Sequence, residues 1–182
     1  GTVLIGRVME FITNAAFKAS ANLAAEKGAS IIYDEDSYME CPFVEEALNE
    51  DTQKLIRENG LRNIAIMSIA PTGSISNIVL GFNHKNKNYI GVSGGVEPIF
   101  ALYYNRRSES FGNKIFRVFH ATVQAYLDLK GLDVQTEENL DLTDILPEHF
   151  MRTAHHINPK RRIEIQGICQ KFIDHSISST LN

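Results

Sequence analysis

Cysteine is scarce in this chain: Cys41 and Cys169 are the only two among 182 residues, and they lie too far apart in sequence to make a CxxC redox pair. That excludes the disulfide framework of small secreted domains, and two isolated thiols suit a reducing compartment, so a cytoplasmic protein is expected. No apolar run approaches the roughly 20 residues that a membrane span needs. The amino terminus also lacks the succession of charged segment, apolar core and cleavage site of a secretory signal, and no membrane association is expected. A long basic stripe is missing too. With 18 Lys and Arg against 22 Asp and Glu, the formal charge is −4. This leaves no electrostatic footprint for a nucleic-acid backbone, although one loop suffices to hold a free nucleotide. Metal-ligand spacings such as His-Glu-x-x-His are absent, and His155 and His156 are adjacent, so they point apart on a helix; no metal site is expected.

What remains is an ordinary globular composition, 43% apolar and 22% charged, in a chain long enough to bury one core. No internal repeat, low-complexity tract or linker divides it, so residues 1–182 read as a single domain.

The apolar periodicity gives the elements. Val8, Ile12, Ala15, Ala19 and Leu23 follow one another at steps of four and three, predicting the inward face of a helix that Gly28 ends. A polar stretch at Asp34, Glu35 and Asp36 precedes a short helix starting near Pro42. Asp51 to Asn59 reads as a helix capped by Asp51 and stopped at Gly60. The run Ile64 to Ala70 is nearly all apolar and predicts a strand buried on both faces, as in α/β folds. Ile99 to Tyr104 has the same character and is followed by Asn105, Arg106 and Arg107. Between them, Gly81 to Gly95 is rich in Asn, Lys and Gly and reads as a loop. Phe116, Phe119, Val123 and Tyr126 recur at helical spacing up to Lys130 and Gly131. A last helix starts at Asn158 and Pro159 and is expected to turn Ile165, Ile168, Phe172 and Ile173 inward. Ser176 to Asn182, with Ile177 and Leu181 on one face, closes the chain as a strand.

The chemistry is concentrated in Pro71-Thr72-Gly73-Ser74-Ile75-Ser76, where the apolar run after Ile64 ends and a short helix begins. Gly73 is expected to let the backbone turn tightly, main-chain N–H groups to point into the loop, and Thr72, Ser74 and Ser76 to add hydroxyl donors. Together these make an anion site, although a capped turn with no ligand has the same residue pattern.

The surrounding sequence favours the anion site. Asn63 to Ser76, with Gly94-Gly-Val-Glu-Pro-Ile-Phe-Ala-Leu102 downstream, resembles the adenosylcobalamin-dependent ribonucleotide reductases. The resemblance begins at Glu10 to Ser20 and Ala25 to Gly28, continues through Arg106 and Arg107, and ends in Gln170 to Asn182. It implies the C-terminal part of a ten-stranded α/β barrel in the catalytic subunit, with the substrate's phosphates on Ala70, Pro71, Thr72, Gly73, Ser74, Ile75 and Ser76. It also implies adenosylcobalamin as cofactor and a ribonucleotide as substrate. In that family a cysteine thiyl radical, generated through the cofactor, abstracts the ribose 3′ hydrogen and two further cysteines reduce the 2′ carbon.

The chain departs from the complete family pattern. The radical cysteine is expected in Asn-x-Cys-x-Glu, but Met39 and Phe43 flank Cys41 at those positions, and Gly167 and Lys171 flank Cys169. No catalytic residue is therefore expected in this chain, and no carboxy-terminal cysteine pair is present to re-reduce a site. The expectation is a fragment or split subunit, inactive alone, whose partner is an N-terminal polypeptide with the radical cysteine; uncovered barrel surface would also make it self-associate. The rival readings are a catalytically inactive nucleotide-binding or assembly module and a phosphosugar-binding α/β domain unrelated to reduction. Glu97, between Gly95-Val96 and Pro98, either orients the loop or a partner or is a solvated loop residue. Arg106 and Arg107 either reach a phosphate or a neighbouring domain or are a solvated strand end, and Lys160, Arg161 and Arg162, in the first turn of a helix, either meet an anionic partner or are a tolerated surface cluster. Both cysteines are expected to be structural.

Overall fold

The computed structural model describes residues 1–76, 78–91, 96–135 and 140–180. They divide into two compact units, Gly1–Ala70 with Lys160–Ser178 and Pro71–Pro159 with Ser179–Asn182.

In the first unit, α1 spans Thr2–Lys27 and ends at Gly28, whose φ of 81° places it where a side chain is disfavoured. Its buried positions are Thr13, Asn14, Phe17, Ser20, Ala21 and Ala24, not the expected Val8, Ile12, Ala15, Ala19 and Leu23. Of those five, only Leu23 is even half-buried. Periodicity alone misplaced the stripe because half of the inward face is polar and is satisfied by specific partners. The Thr13 hydroxyl donates to Phe172 O at 2.6 Å, and Ser20 Oγ both donates to Asn63 O (2.9 Å) and accepts from Asn63 N–H (2.8 Å).

The short helix α2, Glu35–Met39, forms where the sequence reads only as polar; Asp34 caps it by accepting from Ser37 N–H at 2.9 Å. Next, α3 spans Pro42–Ala47 with proline at its first turn, as expected. Helix α4 spans Glu50–Asn59, and its cap is Asn49, which accepts from Thr52 N–H at 2.9 Å, rather than Asp51. Asp51 lies inside the first turn, where its charge still favours the helix dipole. Gly60 stops α4 with a φ of 71°, and a Cβ there would lie 2.9 Å from that of Ala29. Phe17, Ala21, Val44, Leu48, Ile56 and Leu61 form the core of this unit.

The strand expected over Ile64 to Ala70 does not form among the described residues, where the run makes only an isolated bridge at Ile69, and it is not buried on both faces. Each of its residues is half-buried or exposed, and among the described residues its one strand-like neighbour is the segment after Phe172. A parallel bridge joins Ile69 to Ile177. Ile69 N–H donates to Ser176 O (3.1 Å), Ser178 N–H to Ile69 O (2.9 Å) and His175 N–H to Met67 O (3.2 Å). The closing strand expected over Ser176 to Asn182 is therefore reduced to this single bridge at Ile177 among the described residues, and Leu181 and Asn182 lie outside them. The last helix of the chain, α7, covers Pro159–Gln170 and packs in this unit. It has no fully buried residue, so the expected inward turn of Ile165 is corrected; Ile165 is exposed, and Ile173, beyond the helix, is the buried one.

The second unit contains two antiparallel hairpins. The first pairs β1, Leu80–His84, with β2, Lys87–Ile90. It occupies the stretch expected to be loop, because Lys85 and Asn86 take φ of 49° and 62°, the paired positive values of a tight two-residue hairpin turn. Residues 92–95, including Gly94 and Gly95, lie outside the described residues.

The second hairpin pairs β3, Tyr103–Ser108, with β4, Lys114–Phe119. Two expectations are corrected here. The strand expected over Ile99 to Tyr104 starts at Tyr103 and contains Asn105, Arg106 and Arg107. Phe116 and Phe119 lie in β4 and not in the following helix. The single-turn α5, Gly73–Ser76, and α6, Ala121–Lys130, complete the helices, and α6 ends at Gly131 with a φ of 68°, as expected. Aromatic spacing misled because Phe119 and Val123 share one core although the chain changes from strand to helix between them. That core joins Leu102, Phe119, Val123, Leu127, Val134, Leu142 and Leu146.

The described residues are therefore α/β, and they form two hairpins and one parallel bridge but no closed barrel.

Candidate functional site

Ala70 is the exposed last residue of the first unit, and Pro71 to Ser76 belong to the second. The residue that makes the tight turn is Thr72, with a φ of 52°, and not Gly73. A β-branched residue in left-handed backbone is strained, and such strain concentrates at ligand sites. The turn is held by Ser76 N–H donating to Thr72 O at 3.0 Å and by Ser76 Oγ donating to Gly73 O at 2.6 Å. Ser76 is buried, so its hydroxyl proton is committed within the turn and is not offered to an anion. Thr72 is exposed, whereas the side chain of Ser74 lies outside what is described. Pro71 O accepts from Val96 N–H at 3.3 Å, which ties the loop to the start of the Val96-Glu97-Pro98 segment. Around Gly73 there is open space: a Cβ built there meets no atom within 4 Å.

That space belongs to a cavity of about 810 Å³ within the second unit, lined by Gly73, Ser76, Ile90, Gly91, residues 98–101, Tyr104, Arg106 and residues 118–121. Its size falls within the range of small-molecule sites. Arg106 and Tyr104 reach it from alternate positions of β3. His120, which precedes α6, has Nδ1 at 2.9 Å from Thr122 Oγ1 and donates its main-chain N–H to Leu102 O at 2.9 Å. Sequence reasoning missed Tyr104 and His120; the signal available was the alternation of Tyr104 and Arg106, obscured by placing the strand too early.

Glu97 accepts Thr180 N–H on Oε1 at 2.5 Å. Arg161 pairs with Glu164 at 2.6 Å in the first turn of α7, within its surface cluster. Cys41 is exposed, and Cys169 is half-buried, with burial pushing its thiol pKa up, away from the reactive thiolate. Among the described residues no three His, Cys, Asp or Glu side chains gather as a metal site, and no helix is long and apolar enough to cross a membrane.

The family model described as ribonucleotide reductase, barrel domain, matches residues 1–182. The chain belongs to the ribonucleotide reductase family. Relatives bear out the resemblance to its cobalamin-dependent members. A vitamin B12-dependent ribonucleoside-diphosphate reductase of Thermoplasma acidophilum is 27% identical over 183 residues, 97% of this chain and 20% of that protein. One of Mycobacterium tuberculosis is 25% identical over 186 residues, 98% of this chain and 23% of that protein. A ribonucleoside-diphosphate reductase subunit alpha of Chlamydia muridarum is 31% identical over 134 residues, 69% of this chain and 12% of that protein. The chain thus spans less than a quarter of the length of these curated relatives.

Proposed function

We propose that this chain is the substrate-phosphate-binding part of a ribonucleotide reductase that converts ribonucleotides to deoxyribonucleotides by radical chemistry. Residues 1–182 form one partial domain, the C-terminal segment of a ten-stranded α/β barrel, with the phosphates on the loop from Ala70 to Ser76. The observation that carries this reading is the strained turn at Thr72, beside Gly73 at the edge of the cavity, where a Cβ would meet no atom within 4 Å. Successive main-chain N–H groups in such a turn can form an anion-binding concavity. Thr72 contributes an exposed hydroxyl, and Ser76 fixes the turn from inside.

Adenosylcobalamin supplies the radical in this reading. The residues present do not offer a place for the radical step: neither Cys41 nor Cys169 lies in Asn-x-Cys-x-Glu, and burial disfavours the Cys169 thiolate. The cofactor and the radical cysteine therefore belong to the complementary part of the enzyme, a partner in the same cytoplasmic compartment. The role of this chain is to bind and orient, with no nucleic acid or membrane involved.

The test is reconstitution. This chain with adenosylcobalamin, a dithiol and a ribonucleotide should form no deoxynucleotide, and adding the polypeptide with the Asn-x-Cys-x-Glu loop should give turnover that requires both. Turnover by this chain alone would overturn the reading of its cysteines. Nucleotide binding without any reconstituted reduction would favour the inactive nucleotide-binding module.

A further inference from the structure

We infer that Arg106 supplies the positive charge that the phosphate loop lacks, so that loop and strand together select phosphorylated ligands. This rests on the loop reading proposed above. Pro71 to Ser76 contain no cation, and with the Ser76 proton committed to Gly73 O the loop offers N–H groups and the Thr72 hydroxyl. Neutral donors alone leave the charge of a di- or triphosphate uncompensated. Among the described residues, the cavity at Gly73 is lined by one residue of fixed charge, Arg106, and by no carboxylate.

The register of the hairpin explains how the arginine comes to be there. Tyr104 pairs with Val118 and Arg106 with Phe116, and side chains alternate across a strand, so Tyr104 and Arg106 share the face toward the cavity while Asn105 and Arg107 take the other. Arg117, opposite Asn105, is used differently. Its Nη1 donates to Val134 O at 2.5 Å and its guanidinium lies 5.1 Å from the centre of the Tyr103 ring. Among the described residues no carboxylate pairs with Arg106. A guanidinium is a planar fork of donors suited to two phosphate oxygens at once, and it keeps its charge at any working pH. The ligand chemistry is therefore a di- or triphosphate group, held between Arg106 and the loop.

The experiment is calorimetric titration of the assembled enzyme with a ribonucleoside diphosphate and, separately, with inorganic pyrophosphate. Arg106→Gln should weaken both by tenfold or more, Arg106→Lys should recover part of the loss, and Arg107→Gln, on the other face, should bind as the parent does. Pyrophosphate binding by Arg106→Gln equal to the parent's would overturn the inference. Gly73→Val separates the two claims. Loss in Gly73→Val with none in Arg106→Gln removes the arginine and keeps the loop; loss in Arg106→Gln with none in Gly73→Val keeps the arginine and removes the loop. Circular dichroism of each variant confirms that the hairpin is intact.

Discussion

The carboxylate of Asp174 holds the main chain of Met67: Oδ1 accepts Met67 N–H at 2.6 Å while Oδ2 accepts the neighbouring Ile66 N–H at 2.8 Å, across more than one hundred residues of sequence. It starts the parallel register that continues through Met67, Ile69 and residues 175–178. One side chain thus takes the place of a ladder's first rung.

Replacing Asp174 should therefore loosen this pairing. Asp174→Ala leaves two N–H groups without their charged acceptor and should cost about 2–3 kcal/mol, with Asp174→Asn retaining roughly half of the interaction. Urea unfolding measures this, and equal midpoints for parent and Asp174→Ala would refute it.

Asn14 is the most connected buried polar residue of α1. Its Nδ2 donates to Ala47 O (3.1 Å) and Glu10 O (2.9 Å), and its Oδ1 accepts from Asn49 N–H (2.9 Å) and the Thr52 hydroxyl (2.8 Å). Asn14→Leu preserves volume but strands those partners, so a loss of about 2–4 kcal/mol is expected. The same substitution at an exposed asparagine of the same helix, Asn22→Leu, is the control. Thermal unfolding that shifts no more in Asn14→Leu than in that control would contradict this.

Asp128 joins the first hairpin to α6, accepting from Lys87 (2.5 Å), Tyr89 OH (2.7 Å) and Gln124 (2.8 Å). Burial pushes its pKa up, but those hydrogen bonds and the Lys87 charge outweigh it and bring the carboxyl down to about 2. A depressed folded pKa gives stability that is present above the unfolded value near 4 and is lost as pH falls toward 2. Because the pair is partly exposed, the effect should stay at or below about 1 kcal/mol. Asp128→Asn should flatten the dependence of Tm on pH in that window; an unchanged slope would count against the linkage.

Thr72 and Gly73 should separate stability from binding. Thr72→Gly relieves left-handed strain and should stabilise the fold by about 1 kcal/mol while removing a hydroxyl from the loop. Gly73→Val meets open space in this chain, so the melting temperature should barely move while affinity for a ribonucleoside diphosphate falls tenfold or more. Ser76→Ala should affect the melting temperature more than the direct ligand contacts. Parent-like binding by Gly73→Val would end the loop proposal.

Helix α1 exposes Leu4, Val8, Phe11 and Ile12, with Phe11 75% accessible. Leu4, Val8 and Phe11 follow at steps of four and three and Ile12 lies four beyond Val8, a spacing on one face suited to a packed helix interface. The chain alone should self-associate through this face, and Val8→Glu with Phe11→Glu should shift it toward monomer in light scattering. A parent that is monomeric at high concentration would refute the idea.

Local chemistry was legible in the sequence alone. The ends of α1, α4 and α6 follow from Gly28, Gly60 and Gly131, because a left-handed residue is a local requirement and glycine meets it. The family was legible as well, since its motif residues are contiguous. Three things needed the tertiary structure. The buried face of α1 depends on what Thr13, Asn14 and Ser20 bond to far along the chain, and apolar periodicity carries no record of a satisfied polar group. The hairpin at Lys85 and Asn86 looked like loop because its strands are mostly exposed and polar, leaving no alternation to read. Finally, the sequence placed the candidate phosphate loop, but only pairing Arg106 with Phe116, and not with a residue one place along, sets that arginine on the loop's cavity, since a one-residue slip sends a side chain to the other face.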